Sequence, residues 1–418
     1  MLRRQPTASR SPGDVRRRGP RRRFPPSGGA SPEAHALSAD SMGGGRLGPR
    51  EAGAMTRSVP AAAWAALLGS ALLSCMHAGY RADPDGAATP SRPEALRVLV
   101  FGDFGYRTIP QRLTAGAMRL ATRARPFDLA LEVGDNIYRC GPEPTRPGAE
   151  TCRFADDGVT VAPGAEPPDD PLFRVNEAPL AGLSARDGTP LPIFLALGNH
   201  DVGEGAAGCE RAALGEVEAT RRRACLSVAR RTPTWTMPAR HYVLDRGPVR
   251  FIVLDTNVAV KDYGGFTLED ELAFVREATA SCGAERTCFL VGHHPPAAVH
   301  GYGNRRPLPY AARIARLVGA AGGRARAFFA GHFHTLEHLS LDGLEVFVSG
   351  STAMGAFGGF TTRTPARTQV RFTSTAWGYA VLECDGPGYR VAFFDTKGAA
   401  LHCCEAGATG PCRPSRCG

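Results

Sequence analysis

Five short polar motifs follow five apolar runs between residues 97 and 334, and this pairing constrains the chain more than anything else in it. The runs are RVLVF, LALEV, PIFLAL, CFLV and ARAFFA. The motifs are Gly102-Asp103-Phe104-Gly105, Gly134-Asp135-Asn136-Ile137-Tyr138, Gly198-Asn199-His200-Asp201, Gly292-His293-His294-Pro295 and Gly331-His332-Phe333-His334. Apolar runs this short, each bounded by glycine, read as buried strands. In an open α/β sheet, ligands bind outside the carboxyl ends of the strands. The pattern therefore predicts one site assembled from five strand ends.

The residue types suit a pair of cations. A binuclear centre needs a carboxylate able to bridge, with further ligands around two ions about 3.5–4 Å apart. Asp103 and Asp135 offer carboxylates, Asn199 an amide oxygen, and His293, His332 and His334 imidazoles suited to iron or zinc. Tyr138 offers a phenolate, a hard anionic ligand that favours trivalent iron. Two such cations lower the pKa of bound water and clamp the oxygens of an in-line displacement. Phosphate-monoester hydrolysis is among the slowest uncatalysed reactions and needs such help. Any one motif is weak: a Gly-Asp after a strand is commonly a turn, and Asn199-His200-Asp201 alone reads as an Asx turn. Their order and their strand context carry the argument.

The set resembles the calcineurin-like metallophosphoesterases. With Tyr138 in the second motif it is similar to purple acid phosphatases of the small, tartrate-resistant type. The likeness extends to Trp235–Tyr242, to Val253-Leu254-Asp255-Thr256 and to Phe289–Pro295, and spans about residues 97–355. It implies an α/β fold, a two-sheet sandwich flanked by helices (α/β/β/α). It implies that Asp103, Asp135, Tyr138 and His334 hold Fe(III), that Asp135 bridges, and that Asn199, His293 and His332 hold a divalent Fe, Zn or Mn. His200 matches the outer-sphere histidine beside the substrate phosphate. His300 resembles a second one that protonates the leaving group, although its spacing from His293 is shorter than the family pattern. The implied reaction is hydrolysis of a small phosphomonoester by metal-bound hydroxide. A phosphodiesterase, a nucleotide hydrolase and a non-catalytic surface lipoprotein are the competing readings. His294 is expected in packing, and His338 on a sheet surface.

Net charge misleads here. The chain carries +10, but residues 1–54 hold eleven Arg against four acids and Arg57 follows, leaving +2 for residues 75–418. The globular part is near neutral, so no nucleic acid is expected as a specific partner. Residues 1–54 are rich in Arg, Pro, Gly and Ser and cannot bury a core. They read as a basic leader or as residues upstream of a true start at Met55. Residues 55–75 have a basic start, an apolar stretch and Leu72-Leu73-Ser74-Cys75, the pattern of a signal peptide with a lipobox-like end. Export to the periplasm, cell envelope or medium, with membrane attachment through a lipidated Cys75, is the expectation.

Twelve cysteines without a Cys-x-x-Cys spacing point to disulfides in an oxidising compartment. Local spacing predicts Cys140–Cys152, Cys209–Cys225 and Cys282–Cys288. Cys384 and the tail cysteines 403, 404, 412 and 417 are left open, one thiol remaining free; metal binding by the tail is the alternative. The domain layout predicted is a linker over 76–94, one domain over 95–400 and a Cys-rich tail over 401–418. Within the domain, 139–170 and 202–234 read as insertions. Helices are expected over 111–125, 173–184, 266–280 with Thr267 as N-cap, and 308–319. A hairpin is expected to turn on Arg246-Gly247. Arg363, Arg367 and Arg371 read as a solvated strand face.

Overall fold

A computed structural model describes residues 95–165, 167–204, 209, 214–283, 286–300, 308–356 and 364–417. The leader, the apolar run 55–75 with Cys75, the linker 76–94 and Arg363 lie outside the described residues. Among the described residues no helix is long and apolar enough to cross a membrane.

The five apolar runs become strands, as their composition requires, and they fall in two sheets. Nine strands form one mixed sheet in the order β16-β15-β14-β13-β1-β2-β3-β5-β4. Its members are β1 Leu96–Phe101, β2 Leu129–Glu132, β3 Ile193–Leu195, β4 Arg231–Thr232, β5 Trp235–Thr236, β13 Gly378–Cys384, β14 Tyr389–Asp395, β15 Ala400–Ala406 and β16 Arg413–Pro414. Seven form the other, in the order β12-β10-β11-β9-β8-β7-β6. Its members are β6 Tyr242–Arg246, β7 Val249–Val253, β8 Thr287–Val291, β9 Ala325–Ala330, β10 Leu336–Leu341, β11 Leu344–Ser349 and β12 Thr368–Ser374. In the first sheet β1, β2 and β3 run parallel, and in the second β7, β8 and β9 do. Parallel strands share one carboxyl edge, so each sheet delivers its motifs to a single rim.

The sheets face each other across an apolar core. Phe347 of one packs 6.3 Å from Phe393 of the other, Phe372 lies 5.6 Å from Phe393, and the Ser349 hydroxyl donates to the Val100 carbonyl across the gap at 3.0 Å. Among the described residues five α-helices complete the fold: α1 Ile109–Ala124, α2 Phe173–Leu180, α3 Glu216–Ala229, α4 Leu268–Ala278 and α5 Ala311–Ala320. Helix α1 packs on β13 and α2, while α4 packs on α5. The expected cap forms, Thr267 completing a capping box with Asp270, and the first helix is capped by Thr108, which accepts from the Gln111 amide. The architecture is the two-sheet sandwich with helices that the motifs implied. Strand β15 begins at residue 400, so the first residues of the predicted tail extend the nine-stranded sheet beside β14. The β6–β7 hairpin turns on Gly247-Pro248, with Arg246 still in register against Val249.

Two of the three expected disulfides are paired differently. Cys140 bonds Cys209 and Cys152 bonds Cys225, while Cys282–Cys288 forms as expected. The local pairing fails because α3 packs on the short 3-10 turn at Ala149–Thr151. Cys152, Cys225, Ala149 and Leu226 are buried together there in a small satellite core. Each cysteine of the first insertion bonds one of the second, so 139–170 and 202–234 are cross-tied into one unit. The tail pairs as Cys403–Cys417 and Cys404–Cys412, and buried Cys384 keeps its thiol.

Candidate metal centre

Each motif opens one to three residues beyond its strand and turns sharply. Asp103 (φ 56°), Asp135 (φ 56°) and His332 (φ 71°) stand in the left-handed region. Non-glycine residues there cost of order 1–3 kcal/mol each and persist only where their surroundings over-determine them. The glycines allow the close approach. A Cβ on Gly134, itself at φ 95°, would sit 2.6 Å from His293 Nδ1, and one on Gly331 would sit 2.5 Å from Asp103 Oδ2. Side chains from the two sheets could not meet otherwise.

Two groups of donors result. In the first, the Tyr138 hydroxyl lies 3.1 Å from Asp103 Oδ1, 2.9 Å from Asp135 Oδ2 and 3.2 Å from His334 Nε2. In the second, Asn199 Oδ1 lies 2.9 Å from His293 Nε2 and 3.1 Å from His332 Nδ1, and those two nitrogens are 3.3 Å apart. Asp135 faces both groups, since its other oxygen, Oδ1, is 3.3 Å from His293 Nε2. All seven predicted ligands are therefore brought together, with Asp135 between the two sets.

The donor chemistry fits cations. One phenolic proton cannot serve three acceptors at once. His293 Nδ1 faces the Val133 carbonyl at 3.0 Å, so in the neutral ring the proton sits there and Nε2 carries a lone pair. That lone pair points at an amide oxygen and a second imidazole nitrogen. Acceptor meeting acceptor is repulsive unless a positive charge lies between them. The titration behaviour agrees: burial opposes charge on His293, but Asp135 beside it raises its pKa to about 9, so a proton takes the cationic role. Burial and the neighbouring histidines push His332 the other way, well below the usual range. Asp135 is held well below the carboxylate range: burial opposes this, and His293 and His200 outweigh it.

The supporting shell is dense. Asp201, quoted in the third motif but given no role, accepts from the amides of Asn136, Ile137 and Gly198 at 2.8–3.2 Å and so locks the second and third motif loops together. Burial, and then the charge of Asp135, raise its pKa to about 7. The Asn199 Nδ2 group donates to the Glu204 carbonyl at 3.0 Å, turning Oδ1 toward the imidazoles. A fully buried Arg240–Asp255 pair at 2.8 Å holds Asn257, whose amide donates to the carbonyls of Leu197 and Gly198 just before Asn199. None of these partners had a sequence signal beyond Val253–Thr256 and Trp235–Tyr242 being family-like.

The remaining candidates divide. His200 lies against Tyr138 with ring centroids 4.2 Å apart and planes tilted by 41°, and its Nδ1 faces the Arg139 carbonyl at 2.6 Å, which leaves Nε2 as the outward nitrogen. His300 is half-buried, its backbone amide fixed by Glu337 at 3.0 Å; among the described residues no contact joins its ring to the donor groups. His294, expected in packing, is buried with its Nδ1 2.9 Å from the Thr256 hydroxyl and its ring against His332, and it also groups with His293 and His332 as a set able to hold an ion. His338 is not on a surface. It is buried between the sheets, bonded through Nε2 to Glu345 and through Nδ1 to His402. Alternation places it inward, facing Phe347. Cys404 lies beside this pair, but its sulfur is in a disulfide. Arg371 bonds Glu345 rather than lying free on the strand, and Arg367 is exposed.

No family model and no curated protein matches the chain. Solved structures do. GAP50, the anchor in the inner membrane complex of Plasmodium, is similar at a TM-score of 0.50 and 18% identity, covering 76% of this chain and 90% of that one. The purple acid phosphatase PPD1 from yellow lupin (Lupinus luteus) seeds has a TM-score of 0.46 and 15% identity over 74% of this chain and 53% of that one. PhoD has 0.46 and 13% over 79% and 73%. At these identities the likeness concerns the fold alone.

Proposed function

We propose that this chain, which has the two-sheet metallophosphoesterase fold, is a metal-dependent phosphoesterase acting on small phosphomonoesters. One observation carries the reading: two donor groups meet at one rim with Asp135 facing both. Asp103, Asp135, Tyr138 and His334 would hold one cation, Fe(III) by the phenolate, and Asn199, His293 and His332 a divalent Fe, Zn or Mn. Such a pair supplies Lewis acidity toward a phosphoryl oxygen and toward water.

The chain's own groups do the rest. The Arg139 carbonyl fixes the His200 tautomer, so Nε2 is the atom presented to a phosphate oxygen, donating to it when the ring is protonated. The Tyr138 ring, packed at a tilt against His200, limits the swing of that imidazole. Asp201 and Arg240–Asp255 keep the ligand loops from shifting when negative charge enters. His300 is assigned to protonation of the leaving oxygen. Export and lipid attachment through Cys75 belong to the same proposal; five disulfides are compatible with an oxidising compartment.

A role as an anchor, which GAP50 has, is the second reading, favoured by that protein's fold similarity. The complete donor set supports catalysis over it. The test is hydrolysis of an aryl phosphate and of its bis-aryl diester by iron- and zinc-loaded protein. Monoester turnover well above diester turnover supports the proposal. Preference for the diester makes it a phosphodiesterase, and inertness on both favours the anchor.

A further inference from the structure

Glu337 lies on β10, three residues past His334, and is fully buried. It touches no donor of the metal centre. Its Oε2 accepts from the Val299 amide at 2.7 Å, and its Oε1 accepts from the His300 amide at 3.0 Å and from the Thr335 hydroxyl at 3.0 Å. The carboxylate thus joins two stretches of chain that leave neighbouring strands. One leaves β8 at His293 and runs to His300; the other leaves β9 at His332 and His334 and enters β10. The Glu337 end is rigid, because β10 is paired on both sides, with β11 and β12, and Thr335 is tied by its own carbonyl to the Gly350 amide at 3.1 Å.

A buried carboxylate taking two consecutive backbone amides is a costly device unless the donors must be held. Val299 and His300 lie in the loop that follows β8, outside any named helix or strand, where an extended ladder does not set the backbone. We propose that Glu337 is a positioning residue: it fixes the backbone of His300, and through it the imidazole that protonates the leaving oxygen. The inference rests on the assignment of His300 as that acid. The two oxygens set the height and the direction of the 299–300 peptide relative to His334, as one hydrogen bond would not.

Burial supports the assignment in a second way. A desolvated carboxyl is drawn toward its neutral form, and burial raises Glu337 to about 7 even though all three donors pull it down. A side chain whose only task was packing would be expected as an apolar residue at this buried strand position.

The test compares leaving groups. A displaced p-nitrophenolate needs little protonation, whereas an alkoxide needs a great deal. Metal-loaded wild type, Glu337→Gln, His300→Ala and the double variant are assayed on p-nitrophenyl phosphate and on ethyl phosphate. Glu337→Gln keeps size but puts an NH2 group against a backbone donor. It should lower kcat on ethyl phosphate roughly tenfold or more and on the nitrophenyl ester by less than about threefold. His300→Ala should show the same selectivity, and the double variant should be no worse than His300→Ala. Equal loss on both esters for Glu337→Gln, or losses that multiply in the double variant, overturns the proposal. Equal loss on both esters for His300→Ala removes the assignment it rests on, and the proposal with it. Metal content and circular dichroism of each variant report folding. If Glu337→Gln does not fold, Glu337→Asp serves instead: it keeps the charge but is one methylene short of both amides, and the same selective loss is expected.

Discussion

The Tyr138 hydroxyl lies 2.9 Å from Asp135 Oδ2, three residues earlier in the chain, so the phenol and the shared carboxylate address the same point in space. Neither residue is in a strand or a helix. The contact is made by the turn that follows β2, where Asp135 adopts a left-handed conformation and Asp201 ties down the next two amides.

This geometry gives the first prediction. A phenolate on ferric iron produces a visible charge-transfer band. Iron-loaded protein should be pink to purple, and Tyr138→Phe should bleach it without unfolding the domain. Asp135→Asn should cost far more metal, since it removes the negative charge between the two cations. Absorption spectra with metal analysis check both, and an iron-replete, active, colourless wild type would refute the Tyr138 assignment.

The disulfide Cys152–Cys225 closes a loop across 73 positions and is buried in its own small core. Removing it as a Cys152→Ala/Cys225→Ala pair should cost about 4 kcal/mol by loop-closure entropy. Denaturant unfolding measures the loss. Peptide mapping without reduction should yield Cys140 joined to Cys209, and recovery of a Cys140–Cys152 peptide would contradict the fold described.

Arg240 and Asp255 have no solvent exposure in their side chains, and Tyr263 bonds the same carboxylate at 2.5 Å. Arg240→Met leaves a buried anion with too few partners, and should cost about 3–5 kcal/mol. Because Asp255 holds Asn257 under the Asn199 loop, zinc occupancy should fall together with the melting temperature. A variant that melts lower but keeps full zinc affinity would show that the network does not reach the site.

Burial raises Glu337 to about 7 from an ordinary 4.5. A carboxyl raised in the folded state stabilises the fold fully below its ordinary pKa and loses that contribution as pH rises through the folded value. Metal-free wild type should therefore lose stability between pH 5 and pH 8, and Glu337→Gln should lose less over that window. Urea midpoints at the two pH values decide it, and parallel slopes would count against the shift.

The strands and the candidate donors beside them were legible in the sequence because each lies in a short window: an apolar run, a glycine and a polar side chain. Asp103, Asp135, Asn199 and His293 all follow that rule. What was not legible depends on contacts between distant segments. The pairing of Cys152 with Cys225 is set by α3 lying on the turn at 149–151, and spacing along the chain suggested the nearer cysteine instead. His338 was misplaced because its neighbours in sequence give no sign that Glu345 and His402 close around it. Asp201 and Glu337 act through backbone amides 37 to 65 positions away, and a backbone amide leaves no mark in an amino-acid sequence.

Asp103, Asp135 and Asn199 come from the nine-stranded sheet, and His293, His332 and His334 from the seven-stranded one. Taken singly, one sheet offers oxygen and the other nitrogen, and each half would prefer a different class of ion. Only the closed sandwich presents a mixed oxygen–nitrogen environment. The mixed set of donors is therefore a property of how the two sheets register against each other, and a slip at their interface would part oxygen from nitrogen without unfolding either sheet.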